Sequence, residues 1–120
     1  MLVEKPIVWL GSSRKDIRKL PEDVQDEMGY VLHLVQNGEF DRSIKPLKGG
    51  DLAGVFEIRV DESGDTYRAV YVVNLGSRIY TLHVFQKKSK RGIETPKPDM
   101  DIIRSRLRRA RQLAKELEHE

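Results

Sequence analysis

Three strand-like segments in the second half of the chain, joined by two short turns, most constrain its fold. Each segment is rich in Val, Ile, Phe and Tyr, the residues that strands favour. The turns between them contain the Gly, Asn, Asp and Ser residues that hairpin loops favour. The strands are predicted at about 55 to 61, 66 to 74 and 78 to 86, with ESGD (62 to 65) and NLGS (74 to 77) as the turns. This order predicts an antiparallel meander.

Helical patterns flank the meander on both sides. Residues 13 to 37 carry apolar side chains at helical spacing and a break at Pro21, which predicts two helices or one kinked helix. KPIVWL at 5 to 10 precedes them and is predicted to be a strand, and a Gly- and Pro-marked loop follows at 43 to 54. A C-terminal helix is predicted to begin near Asp99 and Asp101. The order β-α-α-β-β-β-α indicates an α+β fold, with the two N-terminal helices packed on one face of a small antiparallel sheet and a basic C-terminal helix.

Length and composition predict one domain spanning residues 1–120. A chain of 120 residues is close to the commonest domain size. It has no cysteine, so disulfide and thiolate chemistry are excluded and a cytoplasmic location is expected. No apolar run approaches the roughly 20 residues that cross a bilayer, so no membrane association is expected.

Positive charge is concentrated in the C-terminal third of the chain. Residues 86 to 115 contain eleven Lys or Arg and three acids, whereas the other residues contain eleven Lys or Arg and sixteen acids. Such segregation is typical of a protein with an anionic partner on one side, although a solvated helix face is the alternative.

The two predicted turns define which residues lie opposite each other in the sheet. The first turn places Arg59 opposite Arg68, and the second places Arg68 opposite His83. The next row contains Asp61, Thr66 and Phe85, with Lys87 one step further along the last strand. Residues on the alternate positions, Phe56, Ile58, Val60, Tyr80, Leu82 and Val84, are predicted to face the core.

Two opposed arginines suggest an anion site, because like charges that face each other across a ladder destabilise a sheet. A phosphate between Arg59 and Arg68 would remove this repulsion. The alternative is that Glu57, a diagonal neighbour, neutralises the pair. His83 would contribute a group suited to proton transfer, and Phe85 either a surface for base stacking or packing under the C-terminal helix. The three histidines have no metal-ligand spacing.

Ordered motifs along nearly the whole chain resemble those of the RelE/HigB toxin superfamily. They are KPLKG, GVFEIR, YRAVYVV and LHVFQKK, followed by a basic helix after a proline. The resemblance is closest to the phage-derived Gp49-like, or HigB-like, branch. It implies a RelE-like fold and a type II toxin that inhibits translation by cleaving mRNA on the ribosome. It also implies a cognate antitoxin, usually a helix-turn-helix protein of the HigA-like kind.

The resemblance and the predicted sheet rows indicate the candidates on the strands, and the concentration of positive charge indicates the others. The catalytic candidates are Arg59, Arg68, His83, Lys87 and Lys88, and the RNA-binding candidates are Phe85, Lys90, Arg91, Arg104, Arg108 and Arg109. RNA cleavage by the 2′-hydroxyl needs no metal and no cofactor, so a metal-independent endoribonuclease is expected. Two alternatives remain open: a non-catalytic RNA-binding module, and an interaction protein that uses its basic C-terminal helix.

Overall fold

The fold is a five-stranded sheet with helices against both faces. A computed structural model of the chain describes residues 4–87 and 94–118. The elements are, in chain order, β1 (Ile7–Trp9), α1 (Ser13–Arg18), α2 (Glu22–Gln36), β2 (Ile44–Pro46), β3 (Val55–Glu62), β4 (Asp65–Val72), β5 (Ile79–Lys87) and α3 (Lys97–Leu117). The predicted α+β fold and its order of helices and strands are confirmed, with the short β2 as an addition.

The predicted meander forms the centre of the sheet. The strand order is β1-β5-β4-β3-β2, in which β3, β4 and β5 pair antiparallel and β1 adds a parallel edge against β5. The first hairpin has the predicted register, with Asp61 opposite Thr66 and Arg59 opposite Arg68. The edge strand β2 lies within a segment predicted to be a loop. Its Pro46 is compatible with an edge position, where one side of the strand needs no ladder partner.

The second hairpin differs from its predicted register by two residues. Arg68 pairs with Phe85, and His83 pairs with Val70. One residue of this offset arises at the turn, and a bulge between Val70 and Tyr71 adds the second. Because side chains alternate between faces, two single-residue offsets cancel, so His83 and Phe85 still share a face with Arg68.

The bulge changes the face of the residues nearest the turn. Tyr80 and Leu82 were predicted on the face of Ile58, and this prediction is wrong. Both pack in the cluster beneath α3, whereas Val84, on the far side of the bulge, packs with Ile58 as predicted. An extra residue in one strand reverses the alternation beyond it.

Each face of the sheet has its own apolar core. The α2 stripe, Val24, Met28, Val31, Leu32 and Val35, packs on one face, and the α3 stripe, Ile103, Leu107, Ala110 and Ala114, packs on the other. Helix α3 begins at Lys97, two residues before the predicted start, because Pro98 is tolerated in a first turn. None of the helices among the described residues combines the length and the apolar character that crossing a bilayer requires.

Candidate active site

Three cations lie together on the face of the sheet that α3 covers only in part. Arg59 of β3 and Arg68 of β4 are directly paired, and Lys87 of β5 pairs with Thr66, the residue two positions from Arg68. We call Arg59, Arg68 and Lys87 the cationic patch. The Arg68 side chain is 3% exposed and that of Arg59 is 31% exposed. The prediction that the two arginines share one face is confirmed.

Glu57 lies between the two arginines. Arg59 Nε donates to Glu57 Oε1 at 2.6 Å, and Arg68 Nη1 donates to Glu57 Oε2 at 3.3 Å. The glutamate is 1% exposed, so this carboxylate is buried together with the guanidinium groups. The sequence predicted either an anion or Glu57 as the neutralising group, and the structure shows Glu57 paired with both arginines. The pairing also holds both guanidinium groups in fixed positions beside a cleft.

Lys87 adds a third positive charge, and its position in the fold disfavours the charged form of its side chain. It is 8% exposed, and burial lowers its pKa, with further lowering by the charges of Arg68 and Arg59. Burial likewise lowers the pKa of Arg68, against the attraction of Glu57. An anion placed among these three side chains would relieve both effects.

His83 is held by the first turn of α3. Its Nε2 lies 2.8 Å from Asp99 Oδ1, and its ring stacks on Phe85 with centroids 4.7 Å apart and planes 15° apart. Its Nδ1 is buried and has no hydrogen-bond partner among the residues that the structure describes. His83 therefore links β5 to α3, and its predicted position directly beside Arg68 is occupied by Phe85.

Phe85 belongs to the core beneath α3. It is 8% exposed and clusters with Ile103 and Leu107. Of the two roles predicted for Phe85, base stacking and packing under α3, the structure shows packing. Little of the Phe85 ring is therefore exposed for a nucleobase to stack on.

The basic residues around the site divide into paired and exposed side chains. Arg104 Nε donates to Asp51 Oδ2 at 2.9 Å, and this hydrogen bond lowers the pKa of Asp51. Arg108 and Arg109 are exposed on α3, and within residues 4–87 and 94–118 neither forms an ion pair. Lys88, Lys90 and Arg91 lie outside the described residues.

A cleft of about 390 Å³ adjoins the cationic patch. Glu57 and Arg59 form one side of it, and the first turn of α3 and the chain after β2 form the others. In the part of the chain that the structure describes, no three His, Cys, Asp or Glu residues are grouped so as to hold a metal ion. The described side chains at this site supply guanidinium, ammonium and carboxylate groups.

A match to a protein-family model shows which family the chain belongs to. Residues 15–108 match the family described as phage derived protein Gp49-like (DUF891). The chain belongs to this Gp49-like family. The match covers β3, β4, β5 and the cationic patch, so the predicted relationship to the phage-derived branch is confirmed. No curated protein matches the sequence.

Two solved structures resemble the Gp49-like chain. One is a mutant of the Escherichia coli toxin RelE in the free state, which is 14% identical and superposes with a TM-score of 0.57 over 89% of this chain and 98% of that one. The other is in the toxin–antitoxin complex RelBE2 from Mycobacterium tuberculosis, with 25% identity, a TM-score of 0.49, and coverage of 68% of this chain and 96% of that one. The first comparison confirms the RelE-like fold.

Two site residues, Glu57 and Asp99, had no functional role predicted from the sequence. Glu57 was predicted only as the alternative to an anion in neutralising the arginines, although its spacing of two residues from Arg59 places both on the same face. Asp99 appeared only as a helix-opening residue. Its contact with His83 depends on how α3 packs against the sheet, and no local pattern encodes that contact.

Proposed function

We propose that this Gp49-like protein is the toxin of a type II toxin–antitoxin system and cleaves mRNA on the ribosome. The observation that carries the proposal is the cationic patch, in which buried Arg68 and Lys87 and half-buried Arg59 lie on one face, with an open cleft beside Arg59. Burying like charges together opposes folding, so an arrangement of this kind suits a site that binds an anion. Membership of the Gp49-like family and the RelE-like fold support the same function.

The proposed reaction needs no metal. The 2′-hydroxyl of RNA loses its proton and attacks the adjacent phosphorus, the bond from phosphorus to the 5′-oxygen breaks, that oxygen takes up a proton, and a 2′,3′-cyclic phosphate forms. The protein must hold the phosphate in line and stabilise the charge that develops on its oxygens. Arg59 and Arg68 do this in our proposal, because the guanidinium fork matches the geometry of phosphate oxygens.

We assign the proton transfer to Lys87. We assign RNA binding to the basic residues on the surrounding surface. Burial and the charges of Arg68 and Arg59 lower the pKa of Lys87, which makes its ammonium group a better proton donor than an ordinary lysine. His83, also a sequence candidate, is engaged by Asp99 and contributes in this proposal by fixing α3 beside the site. Exposed Arg108 and Arg109 would bind ribosomal or messenger RNA through phosphate contacts, as would Lys88, Lys90, Arg91 and Arg104.

A ribonuclease of this kind requires control in the cell. We therefore propose a cognate antitoxin, of the helix-turn-helix, HigA-like class that the sequence resemblance implies, and a cytoplasmic location, where translating ribosomes are found. The exposed basic face of α3 is suited to an acidic segment of such a partner.

Controlled expression of the protein tests the proposed function. We expect growth and protein synthesis to stop, and expect mRNA to be cut with 2′,3′-cyclic phosphate ends only where ribosomes translate it. Purified protein with naked mRNA should give little cleavage. Tight RNA binding without cyclic phosphate ends would instead indicate the non-catalytic RNA-binding alternative. If expression leaves translation unaffected, and if removing the charges of α3 abolishes binding to a partner, the protein is the interaction protein of the second alternative.

Replacing Lys87 by methionine should separate stability from activity. Because burial and the two arginines lower the Lys87 pKa, the unfolded chain binds this proton more tightly than the folded one at neutral pH. We therefore expect Lys87→Met to raise the melting temperature at pH 7 by a few degrees and to lower cleavage by about 100-fold.

The stability difference also has a defined pH dependence. The stability of the wild-type protein should rise as the pH climbs from the lowered pKa of Lys87 to the ordinary lysine value, so the advantage of the variant should shrink there. Thermal unfolding from pH 7 to 11 measures this, with Lys115→Met as the matched control at an exposed lysine of α3. A Lys87→Met protein that is less stable and fully active would contradict the assignment.

A further inference from the structure

Most of the residues that line the cleft beside Arg59 have no role in the proposed binding of phosphate. It lies where the chain leaving β2 faces the residues that precede α3 and its first turn. Its volume of about 390 Å³ is within the range of small-molecule sites in proteins. Arg59 belongs both to the wall of this cleft and to the cationic patch, so a ligand whose phosphate contacts Arg59 would extend into the cleft.

The cleft has two apolar walls. Leu47, from the chain that leaves β2, and Met100, from the first turn of α3, both pack against the core beneath α3 and are only partly buried. Pro46 extends the first of these walls. Partly exposed apolar side chains in a concave site provide flat, weakly hydrated surfaces, which suit a planar aromatic ring.

Polar groups lie at the rim of the same cleft. Glu94 and Thr95 contribute oxygen acceptors on the α3 side, and Lys48 contributes a donor on the opposite side. The carboxylate of Glu57 also lines the cleft, but both of its oxygens are engaged by the arginines. Glu94 is exposed at the rim, and its charge also attracts Lys87, so this carboxylate lies near both the cleft and the cationic patch.

We infer that this cleft binds one nucleobase next to the phosphate that is cleaved, and that it prefers a base with an exocyclic amino group. Adenine, cytosine and guanine carry such a donor, and a carboxylate such as that of Glu94 accepts from it. Uracil has no amino group, and its one ring N–H lies between two carbonyl oxygens that repel a carboxylate. The inference rests on the proposed function, because it takes RNA as the ligand of the cationic patch.

Methionine methyl NMR tests the cleft directly. The chain has three methionines, of which Met28 is fully buried on the core-facing side of α2 and Met100 lines the cleft. A Met100→Leu variant identifies the Met100 signal by its loss. The probes are 2′-O-methyl trinucleotides that cannot be cleaved and that carry A, C, G or U at the central position.

We expect the Met100 signal to shift on binding of the A, C and G probes, with about tenfold weaker affinity for the U probe. The Met28 signal should stay in place throughout and serves as the internal control. A Met100 signal that no trinucleotide moves, or one that moves with equal affinity for uracil, would overturn the inference.

Mapping of cleavage sites on translated mRNA gives the second test. Glu94→Gln should reduce the preference for an amino-bearing base over uracil by about tenfold. Glu116→Gln, an exposed glutamate near the end of α3, makes the same chemical change away from the cleft and should leave the preference unchanged. If the wild-type protein cuts no mRNA, the proposed function fails. The NMR result still decides whether the cleft takes a base.

Discussion

Arg68→Ala is expected to abolish growth inhibition and to lower mRNA cleavage by about 1,000-fold. Arg68 is the most buried of the three cations in the patch, so water screens its charge least. Its guanidinium is fixed by Glu57, which lets it meet the developing charge on a phosphate without reorganising. Single-turnover cleavage of mRNA on programmed ribosomes measures the effect.

Two further variants show whether the loss comes from chemistry or from unfolding. Arg68→Ala removes one partner of a buried ion pair, so it should also lower stability, although Glu57 keeps its bond to Arg59. Arg68→Lys keeps the charge and removes the planar fork, and we expect it to remain folded with cleavage reduced by about 100-fold. Arg14→Ala, at an exposed arginine of α1 to which no role is assigned, is the matched control. An Arg68→Lys protein with wild-type cleavage would remove the role that we assign to the guanidinium.

Glu57→Gln is expected to lower the free energy of unfolding by about 3 kcal/mol. The substitution keeps the size of the side chain and removes the charge that lies between Arg59 and Arg68. The buried guanidinium group of Arg68 and the half-buried one of Arg59 then remain at paired positions without the charge of Glu57 between them. Urea unfolding at neutral pH, with Glu116→Gln as the control at an exposed site, gives the size of the loss.

The same variant should respond to anions more strongly than the wild-type protein. In the wild type Glu57 already occupies the space between the arginines, so an added anion competes with a carboxylate. In Glu57→Gln that position carries no charge, and sulfate should therefore bind more tightly and restore part of the lost stability. Chloride at equal ionic strength controls for screening. If sulfate stabilises both proteins equally, the arginine pair is not an anion site.

Much of the candidate site could be predicted from the chain alone. The first hairpin has a short turn, and side chains alternate along its strands, so the turn residues were sufficient to place Arg59 opposite Arg68. The helical spacing of apolar residues likewise predicted the buried stripes of α2 and α3. Both are local patterns, in which the residues that decide the structure are near neighbours in sequence.

The second hairpin shows where such reasoning stops. Its register depends on a bulge between Val70 and Tyr71, and no residue in that run marks a bulge. The bulge places Tyr80 and Leu82 in the core under α3. Its position therefore depends on the packing of β5 against α3. As a consequence, Phe85 and not His83 stands beside Arg68.

The sequence by itself determined the meander, the two helical stripes and the pairing of the arginines, because each follows from the periodicity of neighbouring residues. Only the tertiary structure decided that Glu57 bonds to both arginines, that Asp99 holds His83, and that a cleft opens beside Arg59. These features depend on side-chain conformations and on the packing of α3 and the β2 edge against the sheet. Contacts between segments far apart in the chain have free energies that no local pattern encodes.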